Sequence, residues 1–544
     1  MSTRLTRACV SSAIVLLACA SPSQVTFTNA PPAVTDGDWP SYNRTRAGDR
    51  YSPLTEINTG NVAQLRTLCR YTLPEVASLQ TGPLVVGGTM YFTTDTISYA
   101  IDAGNCAEQW RSVRHSETPS VLGAHGGFAY MEDRLFRGTS DGHVIALDAA
   151  DGHLLWDRAL DVQGPGVTIP MAPIAADGLV YVGNAGSDLA AVTGRVYALD
   201  ARDGHVVWTF DAVPASGPAR ATWQNPRLPV SGAAFRTSFT LDLVKGILYI
   251  PAGNPAPDFD SEWRKGDNLY SNSVIALDAA TGRMLAYNQL VKRDTHDWDV
   301  DSPPALVTTR SGRAIVASAN EDGLLSILDR SRVTRDLTAT DLGSAMPLLS
   351  QTATTTRLNV DVPLSRDSVT RFCPGVTGGN EWNGAGYSPQ TNLLYVGAVD
   401  WCGRVRLKRD TLTVPEPGSV WFGGETPQSE MFDPPAQAKG WLTAFDAENG
   451  SVRWKYATPR PVLAGVTPTA GGVVFAADLG GQLYAFDAST GRILWRMDSG
   501  QSTGGGIVTY VAGGRQLVGV ASGMKSPVWP GGSSQSRILV LGLR

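Results

Sequence analysis

The chain has 544 residues, a hydrophobic fraction of 42%, a charged fraction of only 17%, and 58 glycines. That composition supports a large core and many tight turns rather than long helices. The formal net charge is −5, and with no basic stripe in the chain a nucleic-acid partner is excluded on electrostatic grounds.

The first element in chain order is a targeting segment. Arg4 and Arg7 precede a short apolar run from Val10 to Ala18, too short to span a bilayer and of signal-peptide length. Leu16-Leu17-Ala18-Cys19 resembles the bacterial lipobox, in which the cysteine is lipidated after cleavage. The alternative is an ordinary signal peptide with a chance cysteine. Residues 1–19 are thus expected to be a signal peptide and residues 20–36, rich in Ser, Pro, Thr and Ala, a tether. Residues 37–544 form the folded body. The expected location is the periplasm, with the membrane reached only through a lipid on Cys19. Four cysteines remain beyond the targeting segment: Cys69, Cys106, Cys373 and Cys402. An even number in an oxidising compartment points to disulfides. Pairing neighbours gives Cys69–Cys106 and Cys373–Cys402, with buried free thiols as the alternative. The sequence has no Cys-x-x-Cys-His haem motif and no zinc-ligand spacing.

From there on, one unit recurs: Ala-hydrophobic-Asp-Ala-x-x-Gly-x-x-x-Trp. Its aspartates are Asp102, Asp148, Asp200, Asp278, Asp329, Asp446 and Asp487. The copy at Asp278 has Ala286 in place of Trp, and Ile327-Leu328-Asp329 is a worn copy. Alternating apolar runs between Gly and Asp turns indicate antiparallel strands. Asp can cap its own turn, and Gly supplies positive φ. The Trp is expected to dock between neighbouring sheets, since one four-stranded sheet cannot bury both faces alone. Seven Asp turns, plus one unit shared by the segment after Trp39 and the final run Arg537–Leu541, predict an all-β, eight-bladed β-propeller closed by strands from both termini. Residues 331–371 and 404–438 read as surface insertions, with a lid over one channel end as their expected role.

Several stretches between the units carry a resemblance. They are Asp38-Trp39-Pro40-Ser41-Tyr42-Asn43, Arg50-Tyr51-Ser52-Pro53-Leu54, Ala252-Gly253-Asn254-Pro255-Ala256-Pro257, Gly266-Asp267-Asn268-Leu269-Tyr270, His296-Asp297-Trp298-Asp299, Phe372-Cys373-Pro374-Gly375, Gly378-Gly379-Asn380-Glu381-Trp382-Asn383-Gly384 and Thr503-Gly504-Gly505-Gly506. From about residue 38 to the end, the chain resembles the pyrroloquinoline quinone (PQQ) dehydrogenases. The resemblance implies PQQ in the central channel over Ca²⁺ or a lanthanide ion, a hard Lewis acid that takes oxygen ligands. By position it implies Asp188 and Asn254 as metal ligands and Asp299 as ligand and catalytic base. Asp301 is similar to an extra ligand of the lanthanide-using branch, and an extended backbone would put it on the same side as Asp299. The alternative for Asp301 is a solvated or turn-capping carboxylate. Phe235, Trp382, Asn383 and Gly505 are the implied cofactor contacts.

Departures from the family pattern are equally specific. Adjacent cysteines are missing between Ser116 and Gly126, Gly126 replaces an Arg, Pro170 a Thr, and Phe235 the Trp under the quinone. Glu321 stands where a Lys or Arg is usual, which predicts repulsion toward an anionic cofactor, with Arg236 as the candidate replacement charge. His125 is a candidate substrate contact, and His296 is expected to position its loop. Two functions follow. One is a periplasmic PQQ- and metal-dependent dehydrogenase of an alcohol or related hydroxyl compound, passing electrons to a separate acceptor such as a cytochrome c. The other is a non-catalytic propeller lipoprotein acting as a scaffold or binding module.

Overall fold

The computed structural model describes residues 35–116, 123, 125–161, 166–224, 229–409 and 414–543. The targeting segment, Cys19 and all but the end of the tether lie outside the described residues. Eight four-stranded antiparallel sheets succeed one another along the described chain, as the repeat predicts. Blades 1 to 7 span residues 84–113, 129–159, 174–211, 240–289, 305–353, 386–458 and 467–498. Blade 8 takes three strands from 507–542 and its outer strand, Arg66–Thr72, from near the start of the folded body. That strand pairs antiparallel with Arg537–Gly542 and closes the ring.

Each part of the repeat has a visible job. The Asp148 carboxylate accepts the Ala150 N–H at 2.8 Å and caps its turn. Just before the Asp, the pairing register slips by one residue at Ala100/Ile101, Ala146/Leu147, Ala198/Leu199, Ala276/Leu277, Ala444/Phe445 and Ala485/Phe486. The worn copy keeps this bulge at Ile327/Leu328. A bulge increases local twist, which the propeller needs between inner and outer strands. The Trp ends its blade by reaching the next one. Nε1 of Trp110, Trp156, Trp208 and Trp454 donates at 3.1 Å to the carbonyl of the repeat Ala of the following unit, namely Ala149, Ala201, Ala279 and Ala488. Its ring lies on that unit's glycine: a Cβ on Gly204 would sit 2.7 Å from Trp156. At the closure, Trp495 donates to Leu65 and Tyr510 to Ala103.

Both disulfides form as paired from the sequence. Cys69–Cys106 ties the closing strand to the last turn of blade 1, and Cys373–Cys402 staples the two insertions together. Residues 331–371 are an insertion only in part, since Leu348–Ala353 is the outer strand of blade 5; beyond it Thr370–Phe372 pairs with Gly403–Val405, and Arg366 bonds Asp260 at 2.8 Å.

Two alanine substitutions separate the docking contact from backbone strain. Gly204 and Gly178 both have positive φ, of 73° and 78°, but only Gly204 lies under an indole; an added Cβ on Gly178 meets open space. Gly204→Ala is expected to cost about 1–3 kcal/mol more than Gly178→Ala from overpacking, read as a lower midpoint in parallel thermal melts.

Candidate active site

Topology decides where chemistry can collect. In an antiparallel blade, the loop between the second and third strands and the link to the next blade lie at one end of the ring. The Asp–Gly turns lie at the other. Asp188 lies in the loop between Leu179–Gly183 and Arg195–Asp200, Asn254 between Ile247–Ala252 and Ser273–Asp278, and Glu321 between Ala314–Ala319 and Leu324–Asp329. Arg236, Asp299, Asp301 and Glu381 occupy links between blades. All seven residues therefore share the end opposite the repeat turns.

One constellation surrounds Arg236. Its Nε is 3.1 Å from Asp299 Oδ2, and its Nη2 is 2.8 Å from Asp301 Oδ2 and 3.4 Å from Glu381 Oε2. The same Nη2 contacts Glu321 Oε1. Burial pushes Asp301 up to about 7 against the pull of Arg236. Glu321 and Glu381 are raised well above the usual carboxylate range, again mainly by burial. Burial also works against the charge of Arg236, but the carboxylates, Asp301 foremost, outweigh it and hold the guanidinium well above its ordinary value. The side chain still exposes 36% of its surface. Glu321 is thus paired with Arg236, the candidate replacement charge, which comes from a link between blades.

A second constellation lies beside it. Asn254 is 0% exposed. Its Nδ2 donates to Asp258 Oδ1 at 2.9 Å and Asp297 Oδ1 at 3.0 Å, while its Oδ1 has no partner. Asp258 Oδ2 is also buried without a partner. Carboxylate oxygens of Asp188, Asp258 and Asp297 all fall within 4.8 Å of one another. Burial, then Asp299, pushes Asp188 up to about 6. Asp258 and Asp297 are raised further, by burial and by their acidic neighbours. Three like charges this close, with Asp258 buried and Asp188 and Asp297 half-buried, disfavour joint ionisation unless a cation joins them. The second insertion covers this cluster: Trp421 donates its N–H to Asp188 O at 2.7 Å and packs between Ala190 and Ala256. Of the lid expected from the two insertions, Trp421 is the part that reaches the Asp188 loop.

Asp299 joins the two groups. Its Oδ1 accepts the Asn254 N–H at 2.5 Å and its Oδ2 faces Arg236. Its own N–H donates to Glu321 Oε2 at 3.0 Å, and Glu321 N–H returns a bond to Asp299 O at 3.1 Å. Gly253 permits this closeness, since a Cβ there would stand 2.5 Å from Asp299 Oδ1 and 2.6 Å from Ser187 Oγ. Asp188, Asn254, Asp299 and Asp301 are thereby brought together, but Asp301 goes to Arg236 and not to the acids around Asn254.

The expected cofactor contacts are placed differently. Phe235 is 0% exposed, edge-on to Phe239 and pressed against Gly183, so its ring offers no open face for stacking. Asn383 donates to Leu463 O and Gly504 O and accepts from Tyr42, which uses its polar atoms within the fold. Trp382 donates to Gly504 O and packs on Trp529. Gly505 is buried with Leu79 O 2.5 Å from where a Cβ would be. His125 is buried between Thr93, Gly127 and Gly138, and burial holds it well below its ordinary value; it is a neutral packing group and not an open substrate contact. His296 stacks on Trp298 at 4.2 Å and so orders the Asp297–Asp301 loop. Gly126 N–H donates to Pro170 O at 2.7 Å, so these two departures sit against each other. Asp258, Asp297 and Glu381 are site residues that spacing alone did not single out. The available signal was place: Asp297 and Glu381 lie inside the stretches that carry the resemblance, and Asp258 directly follows one.

A model of the glucose/ethanol/alcohol dehydrogenase β-propeller domain matches residues 39–335. A model of the outer membrane protein assembly factor BamB matches residues 438–529. The quinohemoprotein alcohol dehydrogenase ADH IIB of Pseudomonas putida is 26% identical, over 93% of this chain and 78% of its own. The lanthanide-dependent methanol dehydrogenase of Methylacidiphilum fumariolicum is 27% identical, over 90% and 85%. Among solved structures, the quinohemoprotein alcohol dehydrogenase from Comamonas testosteroni superposes with a TM-score of 0.82 at 25% identity, covering 93% of this chain and 80% of that one. A europium-containing methanol dehydrogenase gives 0.80 at 24% identity, covering 94% and 99%. The fold, the matched domain and the shared length agree: this chain belongs to the PQQ family of glucose, ethanol and alcohol dehydrogenase β-propellers.

Proposed function

We propose that this protein is a PQQ- and metal-dependent dehydrogenase that oxidises an alcohol or a related hydroxyl compound. The observation that carries this is Asp299, a carboxylate fixed from both sides at the meeting point of a partly buried acid cluster and a partly exposed guanidinium. The hard cation fits the donor set: the unpartnered Oδ1 of Asn254 lies among oxygens that need a positive charge. For an anionic planar quinone, the exposed face of Arg236 is the fitting feature, while Phe235 and Asn383 are committed to packing. When bound, the cation would supply Lewis acidity and the quinone a two-electron acceptor.

This chain's own part is orientation and proton transfer. The Asn254 N–H and Arg236 hold the Asp299 carboxylate so that it can take the hydroxyl proton of the substrate. The paired bonds between Asp299 and Glu321, from Asp299 N–H to Glu321 Oε2 and from Glu321 N–H to Asp299 O, hold the backbone that carries that carboxylate. The insertion at Trp421 and the buried carboxylates limit water at the site. We place the enzyme in the periplasm, exported by residues 1–19, with a lipid on Cys19 as anchor. Electrons would leave to a separate acceptor, a cytochrome c, since the sequence carries no haem-attachment motif. A scaffold function is the second reading, favoured by the closed packing of Phe235 and Asn383 and by the match of residues 438–529 to an assembly factor.

Two measurements distinguish these. Protein reconstituted with PQQ and Ca²⁺ or La³⁺ should reduce an artificial dye with alcohols, and Asp299→Asn should lower kcat by about 10²–10⁴-fold with an unchanged circular dichroism spectrum. No dye reduction with either cation would leave the scaffold. The second concerns pH. Asp188 and Asp301 are raised to about 6 and about 7 in the folded state, so folding takes up protons that the unfolded chain releases near its ordinary carboxylate value. Their contribution is full below about pH 4 and is lost as pH rises through 7. Metal-free protein should therefore melt lower at pH 7.5 than at pH 5, and added cation should narrow the gap. A melting point that rises over that interval would contradict it.

A further inference from the structure

We infer that the cation of this propeller is held by Asp188, Asp258, Asp297 and Asn254 Oδ1, with Asp301 outside the ligand set, and that these ligands select a trivalent ion over Ca²⁺. This rests on the metal-dependent reading above but assigns residues that the reading leaves unassigned.

Four observations lead there. The three carboxylates offer oxygens within 4.8 Å of one another, the span that ligands about 2.3–2.6 Å from one hard ion can cover. Asn254, fully buried, turns its Nδ2 toward Asp258 and Asp297 and leaves Oδ1 without a partner. A half-turn of that amide exchanges the two atoms and points an oxygen into the carboxylates, an arrangement that is favourable only with a cation between them. Asp258 keeps a second oxygen, Oδ2, buried and unpartnered. The fourth observation is the contrast with Asp301, Glu321 and Glu381. These also converge, but Arg236 is already among them with contacts to all three. One cluster thus has an internal cation and the other has none.

Charge sets the preference. Nearby cations are turned elsewhere: Arg264 donates to the carbonyls of Pro257, Asp258 and Asp294, and Arg236 to the other cluster. Three ionised ligands with a trivalent ion make a neutral assembly, whereas Ca²⁺ leaves one buried negative charge uncompensated. Asp299, with its oxygens held by the Asn254 N–H and Arg236, stays free of the ion and keeps its role as a base.

The test is Tb³⁺ luminescence on the purified full chain without quinone, excited through tryptophan, with Trp298 and Trp421 in the covering segments. Tb³⁺ should bind and be displaced by La³⁺ at similar concentration, and by Ca²⁺ only at about 100-fold higher concentration. Asp258→Asn and Asp297→Asn should each weaken Tb³⁺ binding at least about 10-fold, while Asp301→Asn should change it less than about threefold. Both ligand variants remove a buried like charge, so their metal-free melting points should not fall, which guards against misfolding. Loss of Tb³⁺ binding in Asp301→Asn with retention in Asp258→Asn, equal competition by Ca²⁺, or no Tb³⁺ binding to the wild type would each overturn the assignment. Tb³⁺ binding without dye reduction in the reconstituted protein would count against the dehydrogenase alone.

Discussion

The contact on which everything else depends is an indole laid on the next unit's glycine. Trp156 on Gly204 is representative: the ring fills the space a side chain would take, and Nε1 closes onto the following Ala201 carbonyl. A four-stranded sheet with both faces apolar cannot stand alone. Docking each blade on its neighbour buries both faces and fixes the spacing around the ring. At the seam, where the two ends of the chain meet, Trp495, Tyr510 and the Cys69–Cys106 bond perform the same task with different atoms.

Because the docking turns occupy one end of the ring, the opposite end is free of that docking duty. Loops there can vary in length and carry charge. This separation explains how a chain can hold eight buried or half-buried charged groups within one site and still fold. The cost of burial is met locally, by Arg236 in one cluster. In the other the Asn254 amide meets part of it, and protonation or a bound cation must meet the rest.

The ring was legible because its signal is repeated. Even the worn unit at Ile327-Leu328-Asp329 forms its bulge, since the neighbours impose the register. The closing strand was legible only as a leftover, from an unpartnered final run that needed one more strand. The site was legible in part. Asp188, Asn254 and Asp299 converge as their motif positions imply. Arg236 and Glu321, 85 residues apart, and Arg236 and Glu381, 145 apart, could not be joined from spacing. A charge exchange between blades shows in sequence only as two separate anomalies. Asp258 and Asp297 were hidden for the related reason that the inner loop and the exit link of blade 4, which carry them, meet only in the folded blade. Phe235 was expected at a cofactor face by its motif position, yet the neighbouring Gly183 and Phe239 draw its ring into the core.

The central claim is that a hard cation and a fixed carboxylate share the free end of the ring, in separate roles. Anomalous diffraction from crystals grown with a lanthanide and PQQ tests it most directly. The account predicts one strong peak bonded to Asp188, Asp258, Asp297 and Asn254, with Asp299 turned toward the quinone and bonded to Arg236. A peak among Asp301, Glu321 and Glu381 with Arg236 displaced, or no peak at this end of the ring, would contradict it.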